Sequence, residues 1–321
     1  MRKDTTRRTR RRLALAATGL AVFLGCLPLA AASAENDAAV GLQLAATGRC
    51  PEAIDPLRRA LREDESDCAV RAALGSCLLT LGRIDRGERV LEDATACADP
   101  ETLESAALAA WRHRRLDLAG SLFERVAELA PERPELHAYL AQIRFGEGRL
   151  DESAASARRA LEAHPDDAQM RGLLALALTR AGRDEEAVPE LARYIEAVPE
   201  DAGARFLLAR LHVRLGNRRE AVAQLRRLVA EAPETPGAAS LLGAGLYDLG
   251  DLEEARGVLE SALTSDPEGL GLAALALGRV YAHQGLWDRA ADQLETAAAE
   301  LGPEFPDRDL LEYVREQAVD R

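Results

Sequence analysis

Four cysteines are the residues of this chain whose type and spacing most clearly suggest chemistry. All of them precede residue 100, and they are Cys50, Cys68, Cys77 and Cys97. An even number of clustered cysteines is typical of a disulfide framework in an exported protein. We expect at least one disulfide, and the residues alone leave three pairings open. The alternative is four small, buried apolar side chains without any bond.

Histidines and glycines give no comparable pattern. No two of the five histidines lie at a metal-ligand spacing on one helix, so the sequence predicts no metal site. Gly243, Gly245 and Gly250 superficially resemble a phosphate-binding loop, but no strand precedes them. We therefore expect no catalytic residue, no cofactor and no enzyme activity. The histidines are His113, His137, His164, His212 and His283.

A repeat of 34 residues supplies the elements that must position any site. Ala168–Asp201 and Ala202–Thr235 align without a gap, and the same frame extends in both directions. The identical aligned residues include Gly182 with Gly216, Ala187 with Ala221, Leu191 with Leu225, and Pro199 with Pro233. Self-similarity at this period marks a solenoid, in which each unit buries its apolar face against its neighbours.

Each block has the pattern of two short helices. In one block the first helix carries Leu173, Leu174, Ala177 and Leu178 at helical spacing. The next glycine can take the left-handed conformation of a tight turn, and the final proline cannot continue the second helix. This pattern resembles the tetratricopeptide repeat, W-x2-L-G-x2-Y followed by A-x3-F and P. The fullest match is Leu277, Gly278, Tyr281, Gly285, Trp287, Ala290, Leu294 and Ala297.

The resemblance implies an all-α fold, a right-handed superhelical solenoid of about eight helix pairs. The blocks are 34–67, 68–99, 100–133, 134–167, 168–201, 202–235, 236–270 and 271–304. In the third block, Arg114 stands where the turn glycine belongs. We expect residues 35–304 to form the solenoid and residues 305–321 to form a helix whose polar face caps the last repeat.

Residues 1–34 have the composition of an export signal. A basic start is followed by the uncharged, mostly apolar run Leu13–Ala32, and Ala32-Ser33-Ala34 resembles a cleavage site. Thr9–Leu13 resembles a twin-arginine signal. One alternative is an uncleaved anchor, since the apolar run is long enough to span a bilayer. Another is lipidation of Cys26, which follows a lipobox-like sequence. All three place the repeats outside the cytoplasm.

The chain is acidic, with a formal net charge of −13. Its first 34 residues carry seven basic side chains and one acid, so the remaining chain has a net charge of −19. A field of that sign disfavours nucleic acid and anionic membrane surfaces as partners. We therefore expect a protein or peptide partner, with membrane contact only through the N-terminal segment.

The implied helix pairs favour one pairing of the four cysteines. In an antiparallel pair, the start of the first helix lies beside the end of the second, which brings Cys68 towards Cys97. Cys50 opens the second helix of the first block, and Cys77 lies late in the following first helix. Those helix ends pack together in the family that the chain resembles.

In that family the first helices line a concave groove, which holds a peptide or a partner helix. The Lys/Asn set with which some members clamp a C-terminal carboxylate is absent, because Lys3 is the only lysine. We expect an exported, non-catalytic scaffold or assembly factor; the alternative is a membrane-tethered biogenesis factor for an envelope complex. The groove positions are Glu101, Glu104, Trp111, Arg112, Glu135, Tyr139, Gln142, Phe145, Gln169, Arg180, Phe206, Arg210, Arg214, Tyr247, Arg279 and His283.

Four arginines fall on groove positions in the second half of this acidic chain, namely Arg180, Arg210, Arg214 and Arg279. Guanidinium groups bind carboxylates bidentately, so the partner is expected to present an acidic or C-terminal segment. Arg180 and Arg214 occupy the same repeat position, which predicts that their side chains lie along one wall. The alternative is that an arginine late in a helix faces the last carbonyls and needs no ligand.

Overall fold

In a computed structural model, the backbone is described for residues 29–319 and the side chains for residues 36–319. This range contains 17 α-helices and three short 3-10 helices, and no strand occurs within it. The 3-10 helices are Asp93–Ala96, Pro267–Gly269 and Gly302–Glu304. The α-helices are α1 Leu29–Ala46, α2 Cys50–Glu63, α3 Cys68–Thr80, α4 Ile84–Glu92, α5 Pro100–Arg112, α6 Leu116–Leu129, α7 Pro134–Gly146, α8 Leu150–Ala163, α9 Ala168–Arg180, α10 Asp184–Ala197, α11 Ala202–Arg214, α12 Arg218–Glu231, α13 Ala238–Leu249, α14 Leu252–Ser265, α15 Leu270–His283, α16 Trp287–Leu301 and α17 Arg308–Val319.

The helices confirm the repeat frame, because each of the eight blocks contributes one pair. We call the odd-numbered member of each pair the first helix and the even-numbered member the second. Helix α1 begins at Leu29, so the expected cleavage point after Ala34 lies within this helix. The twin-arginine-like sequence, Cys26 and the apolar run as far as residue 28 lie outside the described residues. No helix in the described part of the chain is both long enough and apolar enough to cross a membrane.

The chain divides into two compact units, Met1–Val90 and Leu91–Arg321. In the first unit, α1 packs against α2 and α2 packs against α3, around Leu57, Val70 and Leu78. A disulfide joins Cys50, at the start of α2, to Cys77, near the end of α3, with their Cα atoms 5.0 Å apart.

The expected disulfide framework is therefore present. Cys68 and Cys97 are disulfide-bonded as well as Cys50 and Cys77, so all four cysteines of the first two blocks are oxidised. The alternative of four unbonded, buried thiols is excluded in this structure.

In the second unit, each helix from α5 to α17 packs against the next one along the chain. Fully buried alanines such as Ala141, Ala175 and Ala209 lie on the first helices and let neighbouring helices approach closely. In α17, Leu311 and Val314 are buried, and much of the remaining surface is charged and exposed. The all-α solenoid arrangement and its C-terminal capping helix are thus confirmed.

The turns inside the pairs use the left-handed conformation that the sequence predicts. Gly182 has a φ of 75°, and Gly148, Gly216 and Gly285 have similar values. In the third block, Arg114 adopts the same conformation with a φ of 58°, and it is the one non-glycine residue with a positive φ in the described range. The geometry of the turn is therefore retained where glycine is missing.

Candidate binding groove

A cavity of about 550 Å³ opens between three first helices of the second unit, α7, α9 and α11. We call it the central groove. Its apolar lining includes Ala138, Leu173, Leu176, Ala204 and Leu207. Leu176 is 39% exposed, so the apolar lining of this cavity is partly in contact with solvent. The cavity lies within the size range of ligand sites, and its lining is mainly apolar.

The floor of the central groove is formed by a departure from the repeat pattern. Tyr194 of α10 occupies a position that is alanine in five of the other seven blocks. Its ring lies against Gly172 of α9, where a Cβ atom would come within 3.1 Å of the ring. A large side chain in the second helix is therefore accommodated by the absence of one in the first. The five alanines are Ala60, Ala94, Ala160, Ala262 and Ala297.

The tyrosine is also held at its polar end. Its hydroxyl donates a hydrogen bond of 2.8 Å to Oδ2 of Asp201, whose Oδ1 accepts the backbone N–H of Ala204 and caps α11. The hydrogen bond with Asp201 raises the pKa of the Tyr194 hydroxyl, so the phenol stays protonated at neutral pH. The ring is thus fixed between two helices of the groove.

Polar groups at the rim of the central groove remain available. Gln142 of α7 and Gln169 of α9 are exposed, and their amides form no hydrogen bond with another described residue. Asp167 accepts the N–H of Met170 with Oδ1 and uses Oδ2 for no hydrogen bond within the described chain. Side-chain amides can both donate to and accept from a peptide backbone. The rim can therefore bind the main chain of a protein segment.

Two arginines near the central groove lack an acidic partner. Among arginines on first helices of the described chain, Arg180 and Arg210 alone form no hydrogen bond or ion pair. Instead the guanidinium carbon of Arg180 lies 4.5 Å from the ring centre of Phe145, and that of Arg210 lies 6.0 Å from that of Phe206. Both side chains are exposed. They are cations that an incoming carboxylate can reach.

The other two predicted arginines are already paired. Arg214 binds both carboxylate oxygens of Asp184, at 2.6 and 2.7 Å, and Arg279 likewise binds both carboxylate oxygens of Asp307, at 2.5 and 2.7 Å. Arg180 and Arg214 hold the same repeat position but differ in their partners. The residue that corresponds to Asp184 in the preceding block is Leu150, which offers Arg180 no carboxylate.

Four of the remaining predicted positions, Trp111, Arg112, Tyr139 and Tyr247, fall into two groups. Trp111 packs edge-on against Tyr139 at 5.6 Å, and Tyr139 stacks on the buried Phe123 at 4.8 Å. Arg112 donates to the carbonyl of Leu108 in its own helix, which is the arrangement that needs no ligand. In the second group, Tyr247 and Arg279 line another cavity, of about 340 Å³, between α11, α12, α13 and α15.

Gln142 and Gln169, which the sequence assigned to a groove, line this cavity, whereas sequence reasoning missed the apolar lining and Tyr194. The signal was present, since an aromatic residue at a repeat position otherwise occupied by alanine, valine or leucine marks a local change. Among the described residues, no group of three or more His, Cys, Asp or Glu side chains is arranged to hold a metal ion.

Comparison with known proteins identifies a matching family and several similar solved structures. The family model for the tetratricopeptide repeat matches residues 73–134, 104–168, 140–202 and 206–269. A structure of Naa15/Naa10 bound to HypK-THB has a TM-score of 0.61 and 14% identity, over 88% of this chain and 45% of that one. At that identity the likeness concerns the fold alone. No curated protein matches the chain.

Two MamA structures also match about half of this chain. One crystal structure of MamA has 19% identity and a TM-score of 0.48, over 53% of this chain and 93% of that chain. A second, of MamA AMB-1, has 27% identity and a TM-score of 0.43, over 51% and 98% of the two chains.

Proposed function

Because the chain belongs to the tetratricopeptide repeat family, we propose that it is a non-catalytic scaffold or assembly factor that binds a partner protein segment in the central groove. The observation that carries this proposal is the groove between α7, α9 and α11. Leu176 is exposed there, and the amides of Gln142 and Gln169 have no partner in the described chain. Exposed apolar surface rimmed by unused polar groups is typical of a protein interaction site.

The proposed compartment is the bacterial cell envelope. The signal-like residues 1–34 support export, and so do the two disulfides, because such bonds persist in oxidising compartments. In the alternative form of the proposal, the protein is a biogenesis factor tethered to the membrane by an uncleaved leader or by lipid on Cys26. N-terminal analysis of the purified protein distinguishes them: cleavage leaves Glu35, lipidation leaves a modified Cys26, and an anchor leaves an intact Met1.

The proposed partner presents an acidic or C-terminal segment. Arg180 and Arg210 support this, since they are exposed cations without an acidic partner in a chain whose repeats carry a strong negative charge. A partner carboxylate near these groups would gain charge-assisted hydrogen bonds, and the attraction would weaken as salt screens it. Arg214 and Arg279 contribute less to this proposal, because Asp184 and Asp307 already occupy them.

Charge reversal tests the proposal. The double variant Arg180→Glu/Arg210→Glu should lose its native partner in pull-downs from envelope extracts while keeping its helical circular dichroism. The control Arg62→Glu/Arg219→Glu changes the net charge equally at exposed positions on second helices and should retain the partner. Arg214 is unsuitable for this test, because Arg214→Glu would face Asp184 and disturb the packing of α11 on α10. If the Arg180→Glu/Arg210→Glu variant captures the partner as well as the control variant does, the groove is not the binding site.

A further inference from the structure

We propose that the central groove takes an aromatic side chain of the partner, and that this side chain donates an N–H or O–H to Asp167. This inference rests on the proposed function, since it specifies which residue of the partner segment enters the groove. A tryptophan indole is the side chain that fits best. Three observations carry the proposal: the volume of the cavity, the aromatic ring in its floor, and the unused oxygen at its rim.

The cavity is large enough to admit the bulkiest side chains. Its volume of about 550 Å³ is lined by side chains from α7, α9, α10 and α11, and it reaches down to the buried Met170 and Leu191. Aromatic side chains bury about 150–250 Å² each and dominate the energetics of interfaces when they enter such a pocket. A leucine or valine would bury less apolar area there and make fewer packing contacts.

The floor offers an aromatic partner in a fixed orientation. The Tyr194 ring is held between Gly172 and Asp201, so an incoming ring meets a surface that does not have to rearrange. Offset or edge-to-face contact between two rings stabilises an interface beyond the contribution of the buried area. Preorganisation of the floor also lowers the entropic cost of binding.

The rim of the groove favours an aromatic side chain that can donate a hydrogen bond over phenylalanine, which cannot. Asp167 lines the cavity, and its Oδ2 accepts no hydrogen bond from the described residues. A phenylalanine ring would displace water from this carboxylate without replacing the hydrogen bond, which is unfavourable. An indole N–H would replace the hydrogen bond that this water made to the carboxylate. Gln142 and Gln169 then remain free to bind the main chain on either side of the anchor.

Selection from a random peptide library tests the inference with the full chain in its oxidised form. We expect the peptides that it enriches to carry tryptophan, or less often tyrosine, at one aligned position. Ala204→Phe places a ring inside the cavity and should abolish the enrichment, whereas Ala230→Phe adds the same group on an exposed face of α12 and should not. Ala138→Phe blocks the groove from α7 and replaces Ala204→Phe if that variant fails to fold.

A second comparison isolates the hydrogen bond. Asp167→Asn keeps an oxygen to cap α9, but an amide N–H₂ in place of Oδ2 cannot accept from indole. This variant should bind an enriched tryptophan peptide about tenfold more weakly, measured by fluorescence anisotropy, which corresponds to about 1.4 kcal/mol. Its affinity for the same peptide with phenylalanine should stay at the wild-type value. Equal weakening for both peptides would overturn the hydrogen bond to Asp167.

The outcomes separate this inference from the proposed function. Enriched peptides that depend on an open groove but share no aromatic residue would overturn the aromatic anchor and leave groove binding intact. Enrichment that is unaffected by both Ala204→Phe and Ala138→Phe would overturn both, because the peptides would then bind elsewhere on the chain.

Discussion

Single residues decide the backbone conformation of the turns between paired helices. Arg114 holds a left-handed conformation that glycine supplies in other blocks, and nothing lies within 4 Å of a Cβ placed on Gly148, its counterpart in the next block. The difference between the two turns is therefore one of backbone energy rather than packing. An L-residue in this conformation costs about 1–2 kcal/mol.

We expect Arg114→Gly to stabilise the protein by about 1 kcal/mol, because glycine removes this strain at some cost in chain entropy. The reciprocal variant Gly148→Ala should destabilise it by a similar amount. Urea denaturation followed by circular dichroism measures both. If Arg114→Gly is less stable than the wild type, the strain assigned to this turn is wrong.

Two histidines, one buried and one half-buried, should make stability depend on pH. Burial lowers the pKa of His137 below the usual 6.5, and Arg159 and Arg144 add to this effect, while the backbone of Pro131 and Glu162 oppose it. Burial likewise lowers the pKa of His212, against a smaller opposite effect of Glu220. Because the unfolded chain binds protons near pH 6.5 that the folded chain does not, stability falls as the pH drops through that value.

Thermal melting at pH 7.5 and at pH 5.5 checks this prediction. The midpoint should fall at the lower pH in the wild type, and it should fall less in His137→Gln/His212→Gln. His283→Gln provides the control, since its side chain is exposed. An identical pH response in the double variant and the wild type would show that these histidines do not titrate on unfolding.

At the scale of the helix, the sequence predicted the positions of the arginines better than it predicted the side chains that they contact. The 34-residue frame placed Arg180 and Arg214 at the same point of successive first helices, as the structure does. Their contacts differ because the facing residue is Leu150 in one block and Asp184 in the other. The next block exchanges the charges, with Arg218 facing Asp248. A repeat frame fixes the backbone, and the side chain across the interface decides what is free to bind.

Helix α13 depends on a carboxylate from the end of α14. Asp266 is 6% exposed, and it accepts the N–H of Gly237 at 2.8 Å and the hydroxyl of Ser240 at 2.7 Å. Asp266→Ala would leave the buried hydroxyl of Ser240 and the half-buried N–H of Gly237 without this partner, so we expect a loss of about 3 kcal/mol in urea denaturation. Asp99→Ala removes an exposed cap of α5 and should cost clearly less, because water can replace it. If both variants lost the same free energy of unfolding, the hydrogen bonds of Asp266 would not have the stabilising effect assigned to them.

At the scale of the whole chain, the period of the sequence predicted the eight helix pairs and the capping helix. The recurrence of glycine, alanine and proline carries this information, because each helix packs mainly on its neighbours. The central groove was only partly predictable. Its volume depends on Tyr194 meeting Gly172, which is a property of two side chains in different helices.

Deletion of residues 202–235 tests the modular construction of the second unit. This block contributes α11 and α12, and its loss should leave a soluble, helical protein, because the flanking blocks have the same pattern. The deletion also removes Ala204 and Leu207 from the central groove, so partner binding should be lost. Circular dichroism and a pull-down measure the two effects. A protein that no longer folds would contradict the modular arrangement.

Site-specific photo-crosslinking in living cells tests the central claim most directly. A benzophenone amino acid in place of Leu176 would stand at the exposed edge of the central groove, and the same group in place of Ala230 would stand on an outer face of α12. If the groove holds the partner segment, irradiation yields a covalent adduct from position 176 and little or none from position 230. An adduct from position 230 with none from position 176 would contradict the groove as the binding site.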